Sequence, residues 1–392
     1  MAIGVIKLRA GLIAPTALLV SWCACAQDNV IKIGVNQPLT GPVAASGNYV
    51  ADGARIAADE INAEGGVLGQ RIPLLIEDSK SNPTAAVEAA QKLIVKDKVP
   101  VLMGAWSSTY TLALMPLLTR YQIPMLVETS SSPKITRSGN PWIFRISPDS
   151  VMQAEAFEKY VGGLQLKKAA FLVVNNDWGL GNFNAFSEML KRHGIATVLK
   201  EVMAPNAQDL SAQLAKIKSS DADSLFIVTE VEQIALILKQ AYTLKLPQKI
   251  ISASASSSPD QIIEEAGATA SSGAYSIVAF APWFPEMWPN PDVAKGLVAE
   301  WKKRGYVFAG ITEGFRGYDG IRTIVAAIKK AGNAEPEAIR KAFWEIQVPG
   351  VNTTYAFEKL GPEGSESGQS KANVYLIQMK DGKVINPKLA GG

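Results

Sequence analysis

Along this chain, short β-branched and aliphatic runs alternate with longer segments whose apolar positions recur at helical spacing. Val30 to Val35 predicts a strand, and Val50, Ala54, Ala57, Ala58 and Ile61 mark a helix between Gly47 and Glu64. Leu74-Leu75-Ile76 predicts a second strand; Ala86, Ala90, Leu93 and Ile94 mark the next helix after Pro83, a favourable start residue. Val99 to Met103 reads as a third strand, Thr109 to Tyr121 as a helix and Ile123 to Val127 as a fourth strand. The alternation restarts after Pro148. Helices are expected near Met152–Gly162, Asn182–His193, Leu210–Lys218 and Gln233–Leu244. Strands are expected at Ala170–Val174, Thr197–Val202, Ser224–Thr229 and Lys249–Ser252. Such alternation predicts parallel sheets with helices on both faces. Two similar α/β units then join near Ile146 to Asp149.

Ala281 to Asp292 packs four prolines with Trp283, Phe284 and Trp288. Proline removes a ladder donor, so this stretch predicts a surface excursion or a crossing between domains. Helices return at Ala294–Arg304, Gly320–Ala331 and Pro336–Ile346. Asn352–Glu358 and Ala372–Met379 look strand-like around a loop from Gly361 to Ser370.

The length, 392 residues, suits two domains. Lys plus Arg, 39, nearly balances Asp plus Glu, 36, which argues against nucleic acid as a partner. One histidine, His193, removes most His-based metal sites, and it reads as a solvated residue at a helix C-terminus. The first 26 residues read as a secretory signal. Lys7 and Arg9 precede an apolar run from Ala10 to Trp22, and Ala24-Cys25-Ala26 supplies a cleavage site. The expectation is a periplasmic protein starting at Gln27; a membrane anchor is disfavoured by the short run and Pro15. Both cysteines, Cys23 and Cys25, fall in that segment, so the mature chain is expected to carry no thiol. Retention and lipidation of Cys25 is the alternative.

Catalytic motifs are missing: there is no phosphate loop, no HExxH, no complete dinucleotide fingerprint and no nucleophile elbow. A hydrolase is therefore disfavoured, and no cofactor or metal is expected. Two loops carry a different signal. Gly104-Ala105-Trp106-Ser107-Ser108-Thr109 and Glu128-Thr129-Ser130-Ser131-Ser132-Pro133 each follow a strand and precede a helical segment. Hydroxyls and free amides gathered there can receive an anion. Ordinary N-capping is the competing reading for either loop alone.

Further motifs strengthen the case for binding. They are Ile33-Gly34-Val35 to Leu39-Thr40-Gly41-Pro42, Gly53-Ala54-Arg55, the run Asp59 to Gly69 with Asn62-Ala63-Glu64-Gly65-Gly66-Val67-Leu68-Gly69, and Asp177-Trp178-Gly179-Leu180-Gly181. In this order they resemble the branched-chain amino-acid type periplasmic binding proteins, the solute receptors of ABC importers. The resemblance implies an α/β fold of two Rossmann-like lobes, each a parallel-sheet sandwich, joined by a three-crossover hinge. It implies a first lobe of residues 27–146 plus 279–353 and a second of residues 147–278 plus 354–392. It further implies a ligand carboxylate held by Ser107 and Ser108 on the first loop and by Thr129, Ser130 and Ser131 on the second. Trp178 corresponds to the aromatic residue that closes over the ligand, and Trp106 is expected to present its indole to the cleft.

One departure bears on the ligand. Amino-acid members place a carboxylate for the α-ammonium at a position that falls on or near Ser254 here. An uncompensated buried ammonium is costly, so the expected ligand is a small carboxylate with a planar aromatic body. An amino acid or amide is the alternative, with Glu230 or Glu128 as replacement partner. The expected partners are that ligand and a membrane permease, the chain itself being monomeric. A cytoplasmic regulator of the same fold conflicts with the signal segment.

Overall fold

Helix–helix approach and two twisted sheets set the architecture of this chain, described here by a computed structural model covering residues 1–5, 30–387 and 389. The predicted cleavage after Ala26 and both cysteines lie outside the described residues. The first lobe opens with β1 (Ile33–Gln37), β2 (Leu74–Asp78), β3 (Leu102–Gly104), β4 (Met125–Val127) and β5 (Ile143–Arg145). The second follows with β6 (Lys168–Val174), β7 (Ala196–Met203), β8 (Ser224–Val228), β9 (Lys249–Ser252) and β10 (Tyr275–Val278). Later come β11 (Val348–Pro349), β12 (Thr354–Tyr355), β13 (Phe357–Leu360), β14 (Ser367–Ser370), β15 (Tyr375–Lys380) and β16 (Lys383–Ile385).

The two seven-stranded sheets run β13-β14-β5-β4-β3-β1-β2 and β16-β15-β10-β9-β8-β6-β7. Each contains the parallel order 2-1-3-4-5 within its own lobe, the doubly wound arrangement whose switch point receives ligands beyond the strands' carboxyl ends. Strands β1, β3, β4 and β5 are buried along their whole length, as a sheet covered on both faces requires. The fold class read from the alternation is therefore present in both lobes.

Several boundaries differ from the sequence reading. Residues 354–370 were expected in the second lobe, but β14 pairs with β5 and β13 with β14, which places them on the first sheet. The loop expected from Gly361 to Ser370 thus contains a strand. Its sequence, Ser-Gly-Gln-Ser, has no apolar pattern, and all four residues are buried through polar contacts. Strands β5 and β10 and the helix Pro259–Ala266 also went unread. The chain passes between the sheets after β5, after β10 and after β14. The proline- and tryptophan-rich stretch forms the second passage, ahead of the helix Pro291–Lys303.

The helix expected from Gly320 begins instead at Ile311 and runs to Ala331. Its glycines weaken the helical signal, and packing explains them. A Cβ on Gly53 would lie 1.7 Å from the Gly314 carbonyl oxygen, and one on Gly317 would lie 1.8 Å from the Val50 carbonyl oxygen. The helices Ala44–Ala63 and Ile311–Ala331 therefore meet backbone to backbone. Gly53→Ala and Gly317→Ala should each destabilise the protein by about 1–3 kcal/mol or more, the scale of core overpacking. Gly162→Ala, in a helix with open space around it, should leave stability unchanged or raise it by up to about 1 kcal/mol. Thermal or urea unfolding of the three variants measures the contrast.

Candidate functional site

The strand ends facing the gap between the lobes deliver the functional side chains. From the first lobe, the chain leaving β3 turns through Trp106 and Ser107 into the helix Ser108–Tyr121. The chain leaving β4 carries Glu128 through Ser132 into the short helix Lys134–Arg137. From the second lobe, Asn176 caps the helix Asp177–Arg192 through the Gly179 amide at 2.8 Å, which sets Trp178 in its first turn. Glu230 precedes the helix Val231–Thr243 after β8, and Ser256 lies on the loop after β9.

These elements line one small cavity, about 280 Å³ of empty space that opens to solvent, among Trp106, Ser107, Ser108, Thr129, Ser130, Ser131, Trp178, Glu230 and Ser256. Eight of the nine residues singled out in the sequence meet there. Ser254 does not: it is buried, and its hydroxyl accepts the Ser256 amide at 3.2 Å, so the loop presents Ser256 instead. Sequence spacing could not separate two serines two positions apart. Past Trp106, Ser107 and Glu230 the cavity adjoins a wider interlobe groove that Tyr110, Asn176 and Glu232 also line.

The hydroxyls differ in what they have left to give. The Ala105 amide donates to Thr111 Oγ1 at 3.3 Å, which lies 2.7 Å from Ser130 Oγ, and Ser130 donates onward to the Trp106 carbonyl at 3.0 Å. Ser130 is thus consumed in holding Trp106, whose backbone φ of 41° lies in the left-handed region. Ser108 Oγ accepts the Ser132 amide at 3.0 Å, leaving its own proton free. Ser107 and Ser131 hydroxyls have no side-chain hydrogen bond among the described residues. Together with the first-turn amides of the helix that starts at Ser108, these groups form a donor-rich wall, chemically suited to an acceptor.

The opposite wall is acidic. Glu230 is the one charged side chain lining the cavity among the described residues, and it has no ion pair there. Although an edge of it reaches solvent-accessible space, burial holds its carboxyl up at about 8, helped by the like charges of Glu232 and Glu313. Deeper lie Glu128, which accepts from Gln37 Nε2 at 2.7 Å, and Glu313, 3.3 Å from Arg316 Nε; burial raises both carboxyls. Arg316 spans the lobes, donating to the Glu128 carbonyl at 3.4 Å and to the Ala255 carbonyl at 2.8 Å.

Two buried groups that the sequence reading missed fix this geometry. Arg145 donates to the Ser130 and Ser132 carbonyls at 3.1 and 2.8 Å, to Gln369 Oε1 at 2.7 Å and to Thr136 Oγ1 at 2.7 Å. Gln369 in turn donates to the Ser147 carbonyl at 2.9 Å. An arginine closing an apolar strand, Ile-Phe-Arg, was the available signal.

The class of protein follows from comparison with known families, once two α/β lobes and a cavity of hydroxyls and indoles between them are in place. Residues 30–383 match the family model for periplasmic binding proteins, and the chain belongs to that family. It is 30% identical over 360 residues to the Leu/Ile/Val-binding protein BraC3 of Rhizobium johnstonii, covering 91% of this chain and 93% of that one. The leucine binding protein LivK of Thermotoga maritima shares 26% identity and a TM-score of 0.78, over 91% of this chain and 99% of that one. A Rhodopseudomonas palustris solute binding protein of an ABC transporter, solved in complex with benzoate, has the same fold. It shares 20% identity and a TM-score of 0.77, over 92% of this chain and 96% of that one. The chain is therefore a solute-binding protein of that family. Among the described residues no helix is long and apolar enough to cross a membrane.

Two outcomes check this site. Ser130→Ala should cost about 1–3 kcal/mol of stability, because it strands the Thr111 hydroxyl and the Trp106 carbonyl, whereas Ser107→Ala should leave urea unfolding unchanged. Glu230 binds its proton more tightly folded than unfolded, so its contribution to stability is complete below its ordinary value of 4.5 and falls as pH rises toward 8. Ligand-free stability measured by urea unfolding should therefore fall as pH rises from 5 to 8, and Glu230→Gln should flatten that decline.

Proposed function

We propose that the ligand is a small carboxylic acid with a planar apolar body, captured in the periplasm by the monomeric chain and delivered to a membrane permease. The observation that carries this reading is the pairing of free hydroxyls at Ser107, Ser108 and Ser131 with the ring systems of Trp106 and Trp178 around one cavity. The hydroxyls and helix-start amides suit a carboxylate, and two indoles suit a flat ring. Ligand engages one lobe, the other closes over it, and the closed form meets the permease. The benzoate complex of the R. palustris protein shows that this fold accommodates such an acid in that protein. A second reading, a branched-chain amino acid, is favoured by the names of BraC3 and LivK. Ser256 offers an ammonium no charge where the loop after β9 meets the cavity, so this reading requires Glu230, on the same cavity, as the ammonium partner.

Thermal-shift screening of benzoate- and phenylpropanoate-like acids beside leucine, valine and phenylalanine separates the two. A ligand at 100 times its Kd adds about 2.7 kcal/mol to the folded state, a readily visible shift. We expect the aromatic acids to give it; a shift with the amino acids alone selects the second reading. Ser108→Ala and Ser131→Ala should each weaken binding of the responding acid by about 1.5–3 kcal/mol in titration calorimetry, the scale of a hydrogen bond to a charged group.

A further inference from the structure

We infer that Arg316 is a positioning residue that holds the second lobe shut over the cavity, and so sets how long any ligand is retained. This rests on the closing cycle proposed above, not on which acid or amino acid is bound. Arg316 is not among the residues lining the cavity. It is buried on the helix Ile311–Ala331, which packs against Ala44–Ala63 of the first lobe. First-lobe groups fix its near side. Its Nε lies 3.3 Å from Glu313 Oε2, and one terminal nitrogen donates to the Glu128 carbonyl at 3.4 Å. The other terminal nitrogen crosses to the second lobe and donates to the Ala255 carbonyl at 2.8 Å.

The acceptor moves with the second lobe. The Ala255 amide donates to Gln153 Oε1 at 3.0 Å, in the helix Ser150–Leu164, and the next residue is Ser256 on the cavity wall. A second crossing lies close by: Ser258 Oγ donates to the Ala309 carbonyl at 2.5 Å, just ahead of the helix that bears Arg316. Neither contact belongs to the three passages between the sheets, so chain connectivity does not impose them. Both join buried protein groups alone, and they therefore favour the closed form by the same amount for every ligand. A guanidinium can serve both lobes at once because its donors form a planar fork, which the single ammonium of lysine lacks. The clasp also adjoins the cavity wall. Burial raises the Glu313 carboxyl, and Arg316 and then the Trp106 indole draw it back.

Stopped-flow binding of benzoate and of leucine to the full chain, followed by tryptophan fluorescence, tests this in wild type, Arg316→Lys and Ser258→Ala. Arg316→Lys keeps the positive charge beside Glu313, and Ser258→Ala leaves the Ala309 carbonyl to Thr312 Oγ1 at 3.1 Å. Both variants should therefore unfold in urea close to wild type, which a merely structural role for Arg316 also predicts. Dissociation separates the two. For whichever probe binds, Arg316→Lys should speed dissociation about tenfold, the scale of a hydrogen bond to a charged group, and Ser258→Ala about threefold. Association should stay within about twofold. Where both probes bind, the factor should be the same for both. An unchanged dissociation rate in Arg316→Lys overturns the clasp, and so does an effect on one probe alone, which makes Arg316 a ligand contact. Leucine binding without benzoate overturns the carboxylic-acid reading and leaves this test intact. If neither probe binds, small-angle X-ray scattering of the ligand-free chain decides: Arg316→Lys should have the larger radius of gyration, and equal radii overturn the proposal.

Discussion

A single guanidinium fastens the second serine loop, the first passage between lobes and the third. Arg145 is fully buried at the end of β5, and its donors go almost entirely to oxygens of the backbone and of neutral side chains. Asp149, 3.5 Å away, is its one carboxylate neighbour, and Asp149 also caps the helix Ser150–Leu164 through the Met152 amide at 2.8 Å. Desolvation lowers the guanidinium to about 10, still well above physiological pH, so the charge persists. Removing a charge from such a site strands several carbonyls at once, and each unmet buried acceptor costs on the order of 1–3 kcal/mol. The residues that touch the cavity depend on one that does not.

The same economy governs the passages between the lobes. Asp319, on the long helix Ile311–Ala331, accepts the Val351 amide at 2.9 Å and the Tyr355 hydroxyl at 2.8 Å; burial raises its carboxyl to about 6. Next to it, Asn352 donates to the Ala279 and Asn373 carbonyls, joining the second and third passages. Less than two turns earlier on that helix lie Glu313 and Arg316, the latter donating to the Glu128 and Ala255 carbonyls. One helix, seated by glycines against Ala44–Ala63, thus touches both the hinge and the interlobe contact. In the closing cycle proposed above these side-chain contacts are the pivots, while exposed pairs such as Lys134–Asp177 at 3.5 Å contribute little.

What the sequence revealed divides along physical lines. Periodicity exposes elements that bury apolar faces, and so the alternation of strands and helices was legible. Loops at strand ends were legible too, because Trp106, Ser107, Ser108 and Trp178 are residues a solvated turn does not require in that combination. β14 was not, since its burial is satisfied by hydrogen bonds from Ser367 and Gln369 rather than by an apolar pattern. The position expected on or near Ser254 meets the cavity through Ser256, because a loop's facing depends on local bonds that spacing does not encode. Arg145 and Gln369 lie 224 positions apart. Such contacts are set by strand order, and no local reading reaches them.

On the carboxylate reading proposed above, that arrangement builds an anion site without a cation among the described residues lining the cavity. Arg145 and Arg316 stand near the cavity, yet Arg145 donates to carbonyls and neutral side chains, and both terminal nitrogens of Arg316 donate to carbonyls. Because the peptide unit is planar and trans, fixing the Ser130 carbonyl toward Arg145 turns the Ser131 amide away from it. The guanidinium thereby orients the loop's donors rather than binding the anion itself. Neutral hydroxyls and amides hold an anion less tenaciously than a buried arginine would. A receptor must close on its ligand and then surrender it, so a site of oriented neutral donors, backed by a charge it never exposes, fits that cycle better than a direct ion pair.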